Sequence, residues 1–458
     1  MKQMSVRAIV LICFCAVLAA GVLLFCCIYI ADAESWALYP ANYHIYTNGE
    51  ITRAGKICDR NGIVLAETKD DKRIYNDDET IRRATLHAIG DPFGYISTGL
   101  HNAHRDLLVG YNIVNGVYRY GNEGNDITTT LDADVCKTAL NALGDRKGTV
   151  GVYNYKTGEM ICMVSNPTYD IEDEDECDKA LSGEINGVYI NRFLSAKYPP
   201  GSTFKLITAA AALDTFDDAY TRTYKCNHGV TIDGEDVTCM GYHGTISLKL
   251  ALAKSCNAYF SQLAVDLGTE KLTEYARKFG FNGKFDIDGI ETIPSFFDVS
   301  GARNIDLAWA GMGQYTNLMT PLQYLTAIGG IANGGVPIKP YIIDNAKNAQ
   351  GISVKWGRTK SLSRMLSEDT ANKLSDLMAS NVEINYGRGN YPGLDLCAKS
   401  GTAEVGKDKI PNAVFVGFTR NEDMPLAFVV VIENGGAGST YGGAVANKVL
   451  QKCLSKLT

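Results

Sequence analysis

Residues 8–31 run for 24 positions without one charged side chain. As a helix, such a run is long enough to cross a hydrocarbon core of about 30 Å. Lys2 and Arg7 precede it, and Asp32 and Glu34 follow it. Because basic residues stay on the cytoplasmic side, this arrangement predicts a short cytoplasmic N-terminus with everything after Asp32 outside the cell membrane. The competing reading is a cleaved signal peptide, since Ala31-Asp32-Ala33 offers a small-x-small site. Signal-peptide apolar cores run to about 7–15 residues, and this run is longer, so a retained anchor in the lipid bilayer is the better reading. No second run of this length occurs in the sequence. The chain therefore reads as a single-pass membrane protein with an extracytoplasmic body.

The composition of the 458 residues, 46% hydrophobic and 21% charged, supports a packed core and excludes a disordered chain. With 44 Lys+Arg against 51 Asp+Glu and a net charge of −7, the chain lacks the basic character of a nucleic-acid binder. At roughly 100–200 residues per domain, the length allows two to four domains. Four of the thirteen cysteines (Cys13, Cys15, Cys26 and Cys27) fall within the apolar run.

The body divides where its texture changes. Residues 33–125 are mixed, with one clear signal: Asp59-Arg60-Asn61-Gly62 between apolar stretches, the pattern of a hairpin turn. From Asp126 the pattern sharpens. Asp126 to Leu131 reads as a strand, and Asp132 can cap a helix that buries Val135, Leu140 and Leu143. Residues 148–155 and 159–165 then read as paired strands joined at Lys156-Thr157-Gly158. Three more strands are expected at 394–402, 412–419 and 425–433, before a helix with Val445, Val449, Leu450 and Cys453 on its apolar side. Two strands, a long helical insertion, three strands and a helix make an α+β domain around a five-stranded antiparallel sheet. Helices should cover both of its faces, because Phe428-Val429-Val430-Val431-Ile432 leaves no polar face. The acidic run Glu172-Asp173-Glu174-Asp175-Glu176 reads as a solvated loop, with no spacing that suggests a metal cage. The expected division is an anchor at 1–32, a small, mostly β pedestal at 33–125, and one large domain at 126–458.

Chemistry enters at Pro199-Pro200-Gly201-Ser202-Thr203-Phe204-Lys205. The prolines bar a helix from running in and the glycine permits a sharp turn, so a helix starts at or near Ser202. Three residues apart, Ser202 and Lys205 share a helical face, placing a nucleophile beside a candidate base. Alone, S-x-x-K is equally well explained by a serine N-cap. Two later elements raise its weight: Lys254-Ser255-Cys256-Asn257, and Lys399-Ser400-Gly401-Thr402 on the third predicted strand. Lys156-Thr157-Gly158 is a decoy, a turn that precedes the serine.

The order S-x-x-K, S-x-N, K-[ST]-G resembles that of the penicillin-binding proteins, and the chain looks like a class B member, a D,D-transpeptidase of peptidoglycan synthesis. The resemblance extends to the Asp59-Arg60-Asn61-Gly62 hairpin (with Ala54 where the family usually has Arg), Lys156-Thr157-Gly158-Glu159, Gly313-Gln314, Thr320-Pro321-Leu322-Gln323 and Ala332-Asn333-Gly334-Gly335. It implies a penicillin-binding-protein/β-lactamase-like fold and a role for each motif residue. Ser202 would attack the D-Ala-D-Ala carbonyl of a stem peptide. Lys205 would be the base, and Ser255 would relay the proton. Asn257 would hold the peptide, while Lys399, Ser400, Gly401 and Thr402 would bind the donor strand and its carboxylate. The resemblance implies peptidoglycan stem peptides and β-lactams as ligands, a lipid II polymerase of the SEDS family as partner, and no metal or organic cofactor.

Cys226 and Cys239 flank a short predicted hairpin at 229–234 in an oxidising compartment, which predicts a disulfide between them. Cys256 reads as a small filler inside its motif, and His243-Gly244 as a structural turn. Among related activities, a bifunctional class A protein would need a glycosyltransferase domain that residues 33–125 are too short to hold. A β-lactamase would need a deacylating base and has no use for an anchor and pedestal. A D,D-carboxypeptidase, which lets water replace the acceptor amine, and a non-enzymatic β-lactam sensor or scaffold both stay open on the motifs alone.

Overall fold

The structure, a computed structural model, describes residues 2–39, 41–47, 49–51, 53–117, 124–406 and 409–457. The uncharged run lies inside one helix, Lys2–Ala37. Its apolar part, Ser5–Ala37, contains a window of mean hydropathy 3.0 in which no residue is buried inside the protein. It is long and apolar enough to cross a membrane, and no second described helix passes the same test.

The expected five-stranded sheet is present and antiparallel throughout. Its order is Leu396–Ala403, Asn412–Thr419, Leu426–Ile432, Gly148–Asn154, Met160–Asn166. Every residue of Leu426–Ile432 is buried. Successive strand residues point to opposite faces, so both faces must be covered; helices Pro321–Ala332 and Gly443–Leu454 pack against this strand. Leu396–Ala403 is an edge strand with one side unpaired within the sheet.

A second, six-stranded sheet takes strands from three separate parts of the chain. Its order is Ser353–Trp356, Ile343–Lys347, Asp126–Thr129, Ile57–Cys58, Val64–Lys69, Lys72–Tyr75. All its pairs are antiparallel except Ile57–Cys58 with Asp126–Thr129. Residues 33–125 are less purely β than the sequence suggested, since they also contain the helices Glu79–Ile89, Leu100–Ala103 and Arg105–Val109. The first is capped by the Asp78 carboxylate and buries Ile81, Ala84, Ala88 and Ile89 along one side.

The Asp59-Arg60-Asn61-Gly62 turn has a further role beyond closing a surface hairpin. Asp59 is fully buried. Its carboxylate accepts the backbone N–H of Asn61 and Ile63, both at 2.8 Å, and that of Ala133 at 3.1 Å. Asn61 in turn donates to Asp132 at 3.0 Å. The turn is thereby fastened to the start of helix Ala133–Leu143. Asp59→Ala strands these donors and should destabilise the fold by about 3 kcal/mol, read as a lowered urea midpoint.

The acidic run is solvated as expected, with residues 172–175 exposed, but it is not all loop. Asp173 caps helix Glu174–Leu181, Glu176 pairs with Arg83 at 2.5 Å, and Glu172 accepts the Tyr75 N–H at 2.8 Å. Two of its carboxylates thus hold on to Tyr75 and Arg83.

Candidate active site

Three chain segments meet at the open edge of the five-stranded sheet. The first is a tight 3₁₀ turn, Gly201–Phe204, leading into helix Lys205–Thr215. Gly201 has φ +53°, and a Cβ there would sit 3.1 Å from the Thr402 carbonyl oxygen. Its N–H donates to the Gly313 carbonyl at 3.0 Å. The second segment is the link from helix Leu248–Ala253 to helix Asn257–Lys278, where Ser255 adopts φ +50°. The third is the edge strand. A Cβ on Gly401 would lie 2.6 Å from the Pro200 carbonyl oxygen, so glycine is what lets the strand approach the serine turn.

These segments bring two lysines together in the interior. Lys205 and Lys399 are both 0% exposed. Lys205 Nζ donates to Ser255 O at 2.8 Å, Ser255 Oγ at 3.3 Å and Asn257 Oδ1 at 2.7 Å, with the Phe260 ring centroid 5.6 Å away. Lys399 Nζ donates to Ser255 Oγ at 3.1 Å and to the Ser400 carbonyl at 2.8 Å. Ser255 Oγ is thus shared by both ammonium groups. All these acceptors are carbonyl, hydroxyl or amide oxygens. With no carboxylate among them to compensate, burial pulls Lys205 down to about 8. Lys399 is pushed well below the ordinary lysine range, by burial first and by the neighbouring Lys205 charge second. A lysine held near neutrality can accept a proton, which an ordinary surface lysine at pH 7 cannot.

Ser202 is half-buried at the turn, Thr402 is exposed on the strand and Asn257 is half-buried at the helix start. Asn257 Nδ2 donates to Thr238 O at 3.0 Å, which fixes the amide. The motifs on their own did not reveal Tyr386. Its buried hydroxyl accepts the Ser400 N–H at 2.7 Å and donates to Ser400 Oγ at 2.8 Å, holding the strand at the substrate edge. It lies in a π-helical turn, Val382–Tyr386, with no periodicity to reveal it.

Gly313 supports the serine turn from beneath, with φ +86° and a hypothetical Cβ only 2.0 Å from the Gly201 oxygen. Gly313→Ala should therefore displace the turn and slow acylation by a β-lactam about 100-fold, the usual cost of a misplacement near 1 Å. Gly183→Ala, at φ +79° with open space around it, should leave that rate unchanged in the same stopped-flow measurement.

The disulfide expected between Cys226 and Cys239 is not formed. Both are free thiols, because the His243 imidazole lies against the two sulfur atoms, its Nδ1 3.4 Å from Cys226 Sγ and 3.6 Å from Cys239 Sγ. The hairpin they were expected to flank is present, as Gly229–Ile232 paired with Glu235–Thr238.

A family model described as the penicillin binding protein transpeptidase domain matches residues 148–455. The chain belongs to this family. Its relatives include peptidoglycan D,D-transpeptidase PbpA of Mycolicibacterium smegmatis, 30% identical over 77% of this chain and 78% of that one. Stage V sporulation protein D of Bacillus subtilis is 29% identical over 72% of this chain and 52% of that protein. Among solved structures, the D,D-transpeptidase domain of a peptidoglycan glycosyltransferase from Eggerthella lenta superposes with a TM-score of 0.77. It is 28% identical and matches 88% of this chain and 99% of that one. An imipenem acyl-enzyme of penicillin-binding protein A from Mycobacterium tuberculosis shares the fold at the same TM-score and 24% identity, over 88% of this chain and 99% of that chain. The class B penicillin-binding protein and the α+β transpeptidase fold expected from the motifs are both sustained.

Proposed function

We propose that the protein is a peptidoglycan D,D-transpeptidase that works through a serine acyl-enzyme and is acylated by β-lactams. The observation that carries this reading is the convergence of two fully buried lysines on Ser255 Oγ, beside the turn that presents Ser202. In this reading Ser202 Oγ attacks the carbonyl between the two terminal D-alanines while Lys205 Nζ takes its proton. Ser255 relays a proton to the departing D-alanine amine as the C–N bond breaks. Backbone N–H groups of Ser202 and Thr402 stabilise the oxyanion, a contribution of roughly 3–4 kcal/mol per donor. Asn257 steadies the stem peptide, which lies along the open edge strand as an added strand. Lys399, Ser400 and Thr402 hold the terminal carboxylate, and Gly401 keeps the strand surface low. The amine of a second stem peptide then attacks the ester, forming the cross-link and restoring the Ser202 hydroxyl.

The helix at Ser5–Ala37 serves in this reading as a single-pass anchor, with the N-terminus cytoplasmic and the catalytic body outside. Residues 33–125 form the pedestal and 126–458 the transpeptidase domain. Anchor and pedestal are the surfaces through which a SEDS-family polymerase would engage. The deciding experiment incubates the full chain in detergent micelles with a stem pentapeptide and an amine acceptor, followed by mass spectrometry. A cross-linked product in excess of the trimmed peptide is expected. Trimming alone would move the protein to the carboxypeptidases, and no turnover alongside intact penicillin labelling would make it a sensor or scaffold.

A further inference from the structure

Beside the catalytic serine–asparagine turn lies a cluster that the acyl-transfer chemistry does not use. Cys226 ends the strand Thr223–Cys226, Cys239 follows the strand Glu235–Thr238, and His243 precedes the strand Gly244–Ser247. Cys256 stands between Ser255 and Asn257. One ligand atom from each of the four lies within 4.8 Å of all the others. We propose that Cys226, Cys239, His243 and Cys256 bind one structural zinc ion that fastens the Ser255–Asn257 turn to the adjoining hairpins.

The distances suit that ion. With Zn–S near 2.3 Å and Zn–N near 2.0–2.1 Å, a tetrahedral site has S···N edges of about 3.6 Å and S···S edges of about 3.8 Å. Here two of the three S···N edges on His243 Nδ1 are 3.4 and 3.6 Å, one of the three S···S edges, Cys239 Sγ to Cys256 Sγ, is 3.9 Å, and every other edge is within 4.8 Å. A disulfide would need about 2.05 Å. Three thiolates and an imidazole make a soft donor set that favours zinc over magnesium or calcium. Four protein ligands also fill the coordination shell, so the site is structural and leaves no position for substrate.

An outer contact fits a ligating role. The Tyr259 N–H points at Cys256 Sγ at 3.4 Å. On binding, three S–Zn bonds and one N–Zn bond form, the thiol protons pass to solvent, and nothing is oxidised or reduced. The sequence showed no need for a metal in the acyl transfer, and this ion takes no step in it. It ties down a turn whose φ of +50° at Ser255 needs support, and whose oxygens receive Lys205. The site stands whether or not the transpeptidase reading does.

The test is elemental analysis of the full chain, purified in detergent micelles under reducing conditions without chelator. About one zinc per chain is expected, lost in His243→Ala and Cys239→Ser and retained in Cys58→Ser. In case those variants misfold, exchange of the wild type with cobalt(II) should give the ligand-field and sulfur charge-transfer bands of a tetrahedral thiolate site. Stripping zinc from the wild type should slow acylation by penicillin, and reloading should restore it. Three results would each overturn the proposal: no zinc and no uptake of it by a protein that still labels with penicillin; a Cys226–Cys239 disulfide in the non-reduced digest; or an acylation rate indifferent to stripping.

Discussion

Ser202→Ala abolishes covalent labelling by a fluorescent penicillin and, with it, formation of cross-linked product. The effect is the largest expected of any single substitution, because the acyl-enzyme bond has no other atom to form on. The fold should tolerate the change. Ser202 is half-buried, and the bonds that shape its turn run through neighbours: the Gly201 N–H to Gly313 O, and Thr203 Oγ1 to Pro200 O at 2.8 Å. An unchanged melting temperature together with complete loss of label is therefore the expected pair of results. Persistent label on Ser202→Ala, mapped by mass spectrometry to another residue, would remove Ser202 from the role of nucleophile.

Acylation should rise with pH through about 8, where Lys205 loses its proton. The direction follows from the role: a base works only when neutral, and burial has lowered Lys205 from 10.5 to that value. Lys205→Arg keeps a permanent charge in the same place and should cut the acylation rate by about 10²–10⁴, with the rise near pH 8 gone. Stability is linked to the same group. Between about pH 8 and 10.5 the unfolded chain still holds the proton that folded Lys205 has released, so stability increases with pH across that window. A wild-type acylation profile flat from pH 7 to 9 would rule out Lys205 as the titrating base.

How far the sequence foretold this site depended on how its residues announce themselves. The central sheet was legible because its strands are long and Phe428 to Ile432 leave no polar face. The S-x-x-K tetrad carried its own punctuation in Pro199, Pro200 and Gly201. The strand Ser353–Trp356 left no such trace, being four residues long, too short for a period to show. Asp59 was visible as a turn residue, but its bond to Ala133 joins segments 74 residues apart, and local pattern holds no information on that. The cysteines were misread for a related reason. The hairpin between Cys226 and Cys239 was correctly seen, and pairing its flanks was the natural step. What decides the outcome is His243 and Cys256, which arrive from two other turns and set their ligand atoms within 4.8 Å of both sulfurs.

The six-stranded sheet also bears on the timing of folding. Strand Asp126–Thr129 sits between Ile57–Cys58 and Ile343–Lys347, so the ladder that begins near the anchor finishes with residues made more than 200 positions later. An emerging chain must therefore carry a half-built sheet, with an open edge at Asp126–Thr129, until residue 356 is available. Contacts of such long sequence separation slow folding and leave edges open to wrong partners. A ribosome stalled before residue 343 should hold a nascent chain whose first 130 residues are protease-sensitive, and release of residues 343–356 should protect them in a single late step.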